Sequence, residues 1–486
     1  MRRPSALPAA FLSHLLLMFC LGLLVVVVPP EAAAKTVHKA KQTKTSKKAK
    51  PCKGKTCKAA TSTPKALELT PVMTLHDPAG QALRHWLDAT ERARRGKGVA
   101  RAMFWGASHT AADFWTGHLR RMWHERWGDA GHGFAQPVRF HPGYRHTDLN
   151  ITASAGWQVL RWQADAQPPQ TEPLDAGLQG ALVTSGDPAD FAELRTTTDN
   201  PGGRTWKEVE VWAKGRPDGG TLRIEHEGPD GTEVVLLATQ GTGLHVARLR
   251  DKDAPHRLRL SPVGDGPVSL YGTVTERGGS GVVLDQMGIP GMRAGIWLHW
   301  QEAAWAEQVQ RRQPDLVVLA YGTNDVGDAD EPLAKYAATW RLVLQRLRRV
   351  APDASCILVG PTDRLAPDGL GGKRTMPRTQ GVIGVQRQVA SEFGCAHFDA
   401  AAAMGGGMPA WQKAKLAQSD DVHLTKLGYE AMAVQLDDAM TRHGEAMRSR
   451  DLAAKKAAEA AARKAASNQS KPKGKTKAKT KAKRKE

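Results

Sequence analysis

The chain has 486 residues, 41% of them hydrophobic and 14 of them Trp, with 69 Lys+Arg against 49 Asp+Glu for a formal net charge of +20. That length suits two or three folded units, and the apolar content excludes wholesale disorder and a mini-protein held together by staples. The charge sits at the ends: residues 35–58 hold ten lysines and no acid, and residues 451–486 hold thirteen Lys/Arg against three acids.

The remainder, 59–450, is close to neutral, so a sequence pI of about 9.8 does not describe a nucleic-acid-binding domain. It describes two low-complexity arms.

Residues 1–34 read as a signal peptide: Arg2 and Arg3 precede an apolar run, Leu15 to Val28, and Ala32, Ala33 and Ala34 offer a small-residue cleavage site. The expectation is export, to the periplasm or the cell envelope. An uncleaved segment, Ala9 to Val28, is the alternative and the one route to a membrane. Residues 35–68 form a Lys-rich linker carrying Cys52 and Cys57; Cys356 and Cys395 lie in the body. With the fifth cysteine, Cys20, inside the leader, the mature chain would keep four, and an even number in an oxidising compartment permits disulfides without specifying their pairing. Neither lysine run contains an aromatic residue for base stacking, so the expected partners of the arms are anionic envelope polymers and not a specific nucleic acid.

The body begins with Asp77-Pro78, read as an N-cap and first-turn proline of a helix reaching Lys97. A strand follows at 99–104, then the small-residue turn Gly106-Ala107-Ser108-His109-Thr110, then a helix over 113–127. A serine in such a turn stands at the carboxyl end of a strand, where open α/β sheets bind ligands. His132, His141 and His146 with Asp148 occupy a Gly/Pro-containing loop; their irregular spacing fits surface or groove histidines better than a metal site, and no metal or other cofactor is expected.

From about 151 the pattern changes to alternating runs at 206–213, 221–228, 232–239, 244–251, 256–263 and 268–276, with PDGG and PDG turns. This predicts an antiparallel β-sandwich over 151–279. Trp206 and Trp212, six residues apart on one strand face, are candidates for stacking on sugar rings, with core packing the alternative expected of at least one of them. After 280 the α/β alternation resumes: strands at 282–287, 316–322, 356–361 and 395–399, and helices near 297–312, 331–350, 381–393 and from Thr425. The fold class is therefore α/β, a doubly wound parallel-sheet domain (69–150 and 280–446) interrupted by the sandwich, with a basic disordered tail over 447–486. In that fold Cys356 and Cys395 start strands at one sheet edge, as a disulfide or as two buried thiols.

Three features join Ser108 at predicted strand ends: Gly288-Ile289-Pro290-Gly291, Gly322-Thr323-Asn324-Asp325 and Asp420-Asp421-Val422-His423. A parallel sheet gathers such loops on one rim, and nucleophilic catalysis needs a hydroxyl, an imidazole, a carboxylate and oxyanion donors to converge. The segments FWGASHTAADFWTG, DQMGIPGMRA, AYGTND and SDDVHLTKLGY, in this order, resemble the four blocks of the SGNH or GDSL-type hydrolases. With the interrupting β-domain they also resemble exported peptidoglycan and polysaccharide O-acetylesterases carrying a carbohydrate-binding-module-like insertion.

The resemblance implies Ser108 as nucleophile, His423 as general base, Asp420 as its carboxylate, and Ser108 N–H, Gly291 N–H and the Asn324 amide as oxyanion donors. It implies a serine esterase removing O-acetyl or other O-acyl groups from a polysaccharide. Transfer to a sugar hydroxyl by the same triad, and non-catalytic glycan binding, are the alternatives. The first block departs from the family's G-D-S in having Ala107.

Overall fold

The computed structural model describes residues 70–163 and 172–469. The expected signal peptide, the Lys-rich linker with Cys52 and Cys57, and the C-terminal lysine run lie outside the described residues. Among the described residues no helix is long and apolar enough to cross a membrane.

Five short, almost wholly buried runs form the central parallel sheet. In sheet order they are Gly281–Gly288, Val99–Gly106, Leu316–Ala320, Ser355–Val359 and Ala396–Phe398, a chain-order sequence of 2-1-3-4-5. Alternation along these strands sends Met103, Trp105, Val317 and Leu319 into one core and Ala102, Phe104, Leu316 and Val318 into another. Helices α1 (Arg84–Arg94) and α3 (Phe114–Trp127) cover the second face with α7 (Ala400–Ala403), α8 (Gly407–Lys413) and α9 (Lys426–Gln469); α4 (Glu302–Arg312), α5 (Leu333–Val350) and α6 (Thr379–Glu392) cover the first, and α2 (Ser108–Ala111) follows the Val99–Gly106 strand. Cys356 and Cys395 are disulfide-bonded, tying two adjacent strands where the register pairs Ile357 with Ala396.

The parallel register aligns the strand ends. Gly106 stands opposite Gly288 on one side and Ala320 on the other; Ala320 stands opposite Val359, and Val359 opposite Phe398. Residues two to four positions beyond Gly106, Gly288 and Ala320 therefore leave the sheet at one rim.

The insertion is two antiparallel sheets. One contains Leu244–Ala254, Trp206–Lys214, Val268–Glu276, Ala181–Ser185 and Gln158–Arg161, with Gly131–Ala135 paired to Val268–Glu276; the other contains Leu149–Ala153, Ala192–Thr196, Arg257–Pro262, Thr221–Gly228 and Gly231–Ala238. Its first strands thus precede residue 151. Ion pairs fasten it to the parallel layer: the buried Arg312 reaches both Asp285 (2.7 Å) and Glu276 (2.8 Å), and the more exposed Arg311 reaches Glu210 (2.9 Å).

Several local expectations are corrected. Asp77 does not cap the first helix: its carboxylate accepts the N–H groups of Gly80 and Ala82, closing a turn, and α1 begins seven residues later at Arg84. The helix expected from Trp297 divides into a 3₁₀ turn, Ala294–His299, and α4, because His299 and Gln301 hydrogen-bond Leu174 across a short parallel bridge. Residues 447–469, expected to begin a disordered tail, extend α9; Met447 is buried, Arg450 donates to the Gly80 carbonyl and Asp451 pairs with Arg84. The alanine-rich composition of that stretch favours helix despite its charge.

Candidate active site

The first strand ends at Gly106, and the backbone turns into α2 (Ser108–Ala111). Gly106 and Gly288 make this possible. A Cβ on Gly106 would meet Thr110 Oγ1 at 2.1 Å, and one on Gly288 would meet the Ala111 nitrogen at 2.1 Å, so α2 packs directly on the neighbouring strand only because both lack side chains. The Ala107 carbonyl accepts the N–H groups of Thr110 (3.1 Å) and Ala111 (2.9 Å), which orders the turn through backbone bonds although residue 107 has no polar side chain. Ser108, the first residue of α2, keeps an N–H without an intrahelical acceptor.

His423 arrives from the turn before α9. Its Nε2 lies 2.9 Å from Ser108 Oγ, and its Nδ1 lies 2.7 Å from Asp420 Oδ2. Asp420 Oδ1 accepts the backbone N–H groups of His423 (2.9 Å) and Val422 (3.1 Å), so one carboxylate fixes both the turn and the ring. Partial burial pushes the Asp420 carboxyl up, but these hydrogen bonds outweigh it and hold the group below the usual carboxylate range. The turn needs a left-handed residue, supplied by Asp421 at φ 64°. Asp421 is anchored by Lys373 and by Gln412 Nε2 (3.0 Å), while its carbonyl accepts Leu365 N–H (3.1 Å).

Gly291 and Asn324 complete the rim. Gly291 has φ +82° and open space where a Cβ would stand. Asn324 Nδ2 donates to the Met292 carbonyl (2.9 Å), which fixes the amide and leaves its second N–H for a ligand. Ser108, Gly291, Asn324 and His423 line one cleft of about 570 Å³, with His141, Arg145, Arg364 and Tyr429 among the other walls. A carbonyl carbon at Ser108 Oγ would thus meet a base and a set of N–H donors together.

Two of the surrounding groups lie in the segments that carry Ser108 and Asn324 but are assigned no role by the sequence patterns. His109 is buried beside the site, its Nδ1 2.9 Å from Tyr429 Oη and its ring centre 5.4 Å from that of His423. Burial lowers its pKa to about 3, so it is a neutral spacer behind the second imidazole. Asp325 is buried, its Oδ2 lacks a hydrogen-bond partner, and burial pushes its carboxyl up to about 7. Adjacency to Ser108 and Asn324 is the one sequence feature that could have flagged these two.

The remaining predicted residues fall elsewhere. Trp206 and Trp212 are both fully buried and offer no face to a sugar: Trp206 stacks on His256, and Trp212 packs by Phe134 under Arg311. His132 and His146 are not surface histidines. They are buried around an ion cluster in which Arg120 bridges Asp113 (3.1 Å) and Asp148 (2.6 Å). Only His141 reaches the cleft. Among the described residues no group of three or more His, Cys, Asp or Glu side chains is placed to hold a metal ion.

Residues 242–431 match the GDSL-like lipase/acylhydrolase family, a stretch that includes Gly291, Asn324, Asp420 and His423 and begins after the Ser108 segment. The fold is similar to a solved peptidoglycan O-acetylesterase, with a TM-score of 0.62 and 24% identity over 77% of this chain and 99% of that one. A family two carbohydrate esterase from Cellvibrio japonicus aligns over 61% of this chain and 98% of its own at 12% identity and a TM-score of 0.25. No curated protein matches the chain.

Proposed function

We propose that this chain, whose residues 242–431 match the GDSL-like lipase/acylhydrolase family, is an exported esterase that removes O-acetyl groups from an envelope polysaccharide such as peptidoglycan through an acyl-serine intermediate. The observation that supports this reading most directly is the continuous Ser108–His423–Asp420 hydrogen-bond chain opening into a cleft.

In the reaction Ser108 Oγ attacks the acetyl carbonyl while His423 Nε2 takes its proton. Asp420 holds the Nδ1–H tautomer and stabilises the imidazolium that forms. Negative charge on the carbonyl oxygen is met by the N–H groups of Ser108 and Gly291 and the Asn324 amide. Collapse returns the proton to the sugar oxygen, the alcohol leaves, and water activated by His423 releases acetate. Fixed donors supply stabilisation without reorganising, and the tie between Asn324 and Met292 provides that fixity.

The substrate class is supported by the overall likeness to a peptidoglycan O-acetylesterase. The lysine runs at both ends suit retention on anionic envelope polymers, and the leader-like N-terminus suits export. Brief mixing with an activated acetyl ester followed by peptide mass analysis tests the mechanism. An acetyl adduct on the peptide carrying Ser108, absent from Ser108→Ala, is the expected result; an unmodified peptide during rapid turnover would contradict it.

A further inference from the structure

The residues that line the cleft around Ser108 include two arginines, Arg145 and Arg364, and no Asp or Glu. Arg145 lies on the loop that follows Gly143, and its backbone N–H bonds the Ala111 carbonyl at 3.1 Å, at the end of the helix that begins with Ser108. Arg364 lies between the Ser355–Val359 strand and the Leu365–Pro367 hairpin strand. Both are half-buried, and neither is ion-paired among the described residues. Arg120, Arg293 and Arg312, by contrast, each face an Asp.

Each of the two guanidiniums is nevertheless held in place by an uncharged neighbour. Arg145 sits 5.0 Å from the centre of the Phe114 ring, and Arg364 donates Nη1–H to the Thr323 carbonyl at 3.1 Å. The loop that carries Arg145 is itself pinned, since Thr147 donates its N–H to the buried Asp113 carboxylate at 2.6 Å. Half-burying two cations without counter-charge costs solvation energy that a neutral ligand does not return. A guanidinium fork matches a carboxylate in bidentate geometry, and forks already oriented lose little entropy on binding. In a body close to electrical neutrality, such a cleft attracts an anion locally.

We infer that Arg145 and Arg364 form a carboxylate subsite, so that the acylated glycan bound in this cleft carries a free carboxylate on or beside the sugar whose ester is cleaved. This rests on the reading of the cleft as a glycan esterase site. It makes the two arginines specificity determinants, selecting acidic glycans over neutral acetylated ones such as an uncharged plant-type xylan.

The test uses the full chain with Ser108→Ala, which removes turnover, and peptide-free glycan strands of peptidoglycan whose sugar carboxylates are either left free or converted to primary amides. Calorimetric titration is expected to show the free-carboxylate strands binding about tenfold more tightly or better, with the preference shrinking as salt rises. Arg145→Gln and Arg364→Gln should each reduce the preference, and the double variant should erase it. Arg145→Lys and Arg364→Lys should retain part of it, which separates lost charge from lost folding, and Arg94→Gln on α1, outside the cleft, should leave it intact. Equal affinity for the two strand types, or a preference that survives in a folded double variant, would overturn the inference. Acetate release by the unsubstituted chain is measured alongside. Preference without release keeps the subsite and refutes the esterase reading; release without preference does the reverse.

Discussion

His423 Nε2 and Ser108 Oγ are 2.9 Å apart although 315 residues separate them in the chain. That closeness follows from sheet register and not from local sequence. Gly106, Gly288 and Ala320 end level with one another, and the residues just beyond them form three sides of the cleft, which the turn before α9 closes. The inserted sandwich lengthens the loop between the first two strands without disturbing this alignment, because it leaves the parallel layer at residue 131 and returns at 281.

Asn324 should act in the transition state rather than in ground-state binding. Replacing it with Ala removes one oxyanion donor while leaving the triad contacts in place, so kcat should fall about 10²–10³-fold with KM changed far less. Steady-state kinetics on an O-acetylated glycan checks this. A rise in KM at constant kcat would assign Asn324 to substrate binding.

Gly288 and Gly291 should respond differently to the same change. Gly288→Ala drives a Cβ into the Ala111 backbone, so it should destabilise by about 1–3 kcal/mol and displace the helix carrying Ser108, lowering kcat. Gly291→Ala meets open space and keeps its N–H; its cost is the left-handed backbone at φ +82°, about 1–2 kcal/mol, with a smaller effect on turnover. Denaturant melts and kcat measured together distinguish the two, and equal effects would refute the packing argument.

Stability should fall on acidification. His109, His124, His146, His226 and His397 are all lowered chiefly by burial, to between about 3 and about 4, from an ordinary 6.5. Below 6.5 the unfolded chain binds protons that the folded chain refuses, so their contribution is lost as pH falls through that interval. Asp325 works in the opposite sense: raised to about 7, it costs stability as pH rises from 3.8 towards 7. Five groups outweigh one, and Tm should drop between about pH 7 and about pH 4.5. Asp325→Asn removes the opposing group, so its Tm relative to the parent should increase with pH over the same range. A pH-independent difference would contradict the assignment.

The Cys356–Cys395 bond spans 39 residues of sequence. Replacing both cysteines with Ala should lower stability by about 2–4 kcal/mol, measured by denaturant unfolding under oxidising conditions. Unchanged stability would mean that the two strands are held equally well by their hydrogen bonds.

Much of this was legible in the sequence because the parallel strands are largely apolar runs, and because Ser108, Gly291, Asn324 and the Asp420/His423 pair follow predicted strand ends or loops in order. The six alternating runs of the sandwich were legible for the same reason. Leu149–Ala153, Gln158–Arg161, Ala181–Ser185 and Ala192–Thr196 were not, since they are only four or five residues long and pair with distant partners. Trp206 and Trp212 could be read either as core or as a sugar platform, because strand periodicity says that two side chains share a face without saying what covers it; both are core. Arg145 and Arg364 carry no local signal at all; only the closing of loops from two halves of the chain around one cleft sets them together.

Acetate release from O-acetylated peptidoglycan by the full chain, compared with its Ser108→Ala variant, decides whether Ser108 is the nucleophile of a glycan esterase. Release by the parent that falls at least about 10³-fold in the variant, with the variant's melting behaviour unchanged, is the predicted result. Release that persists in the variant, or a folded parent that frees no acetate from this or any other O-acetylated glycan, would contradict it.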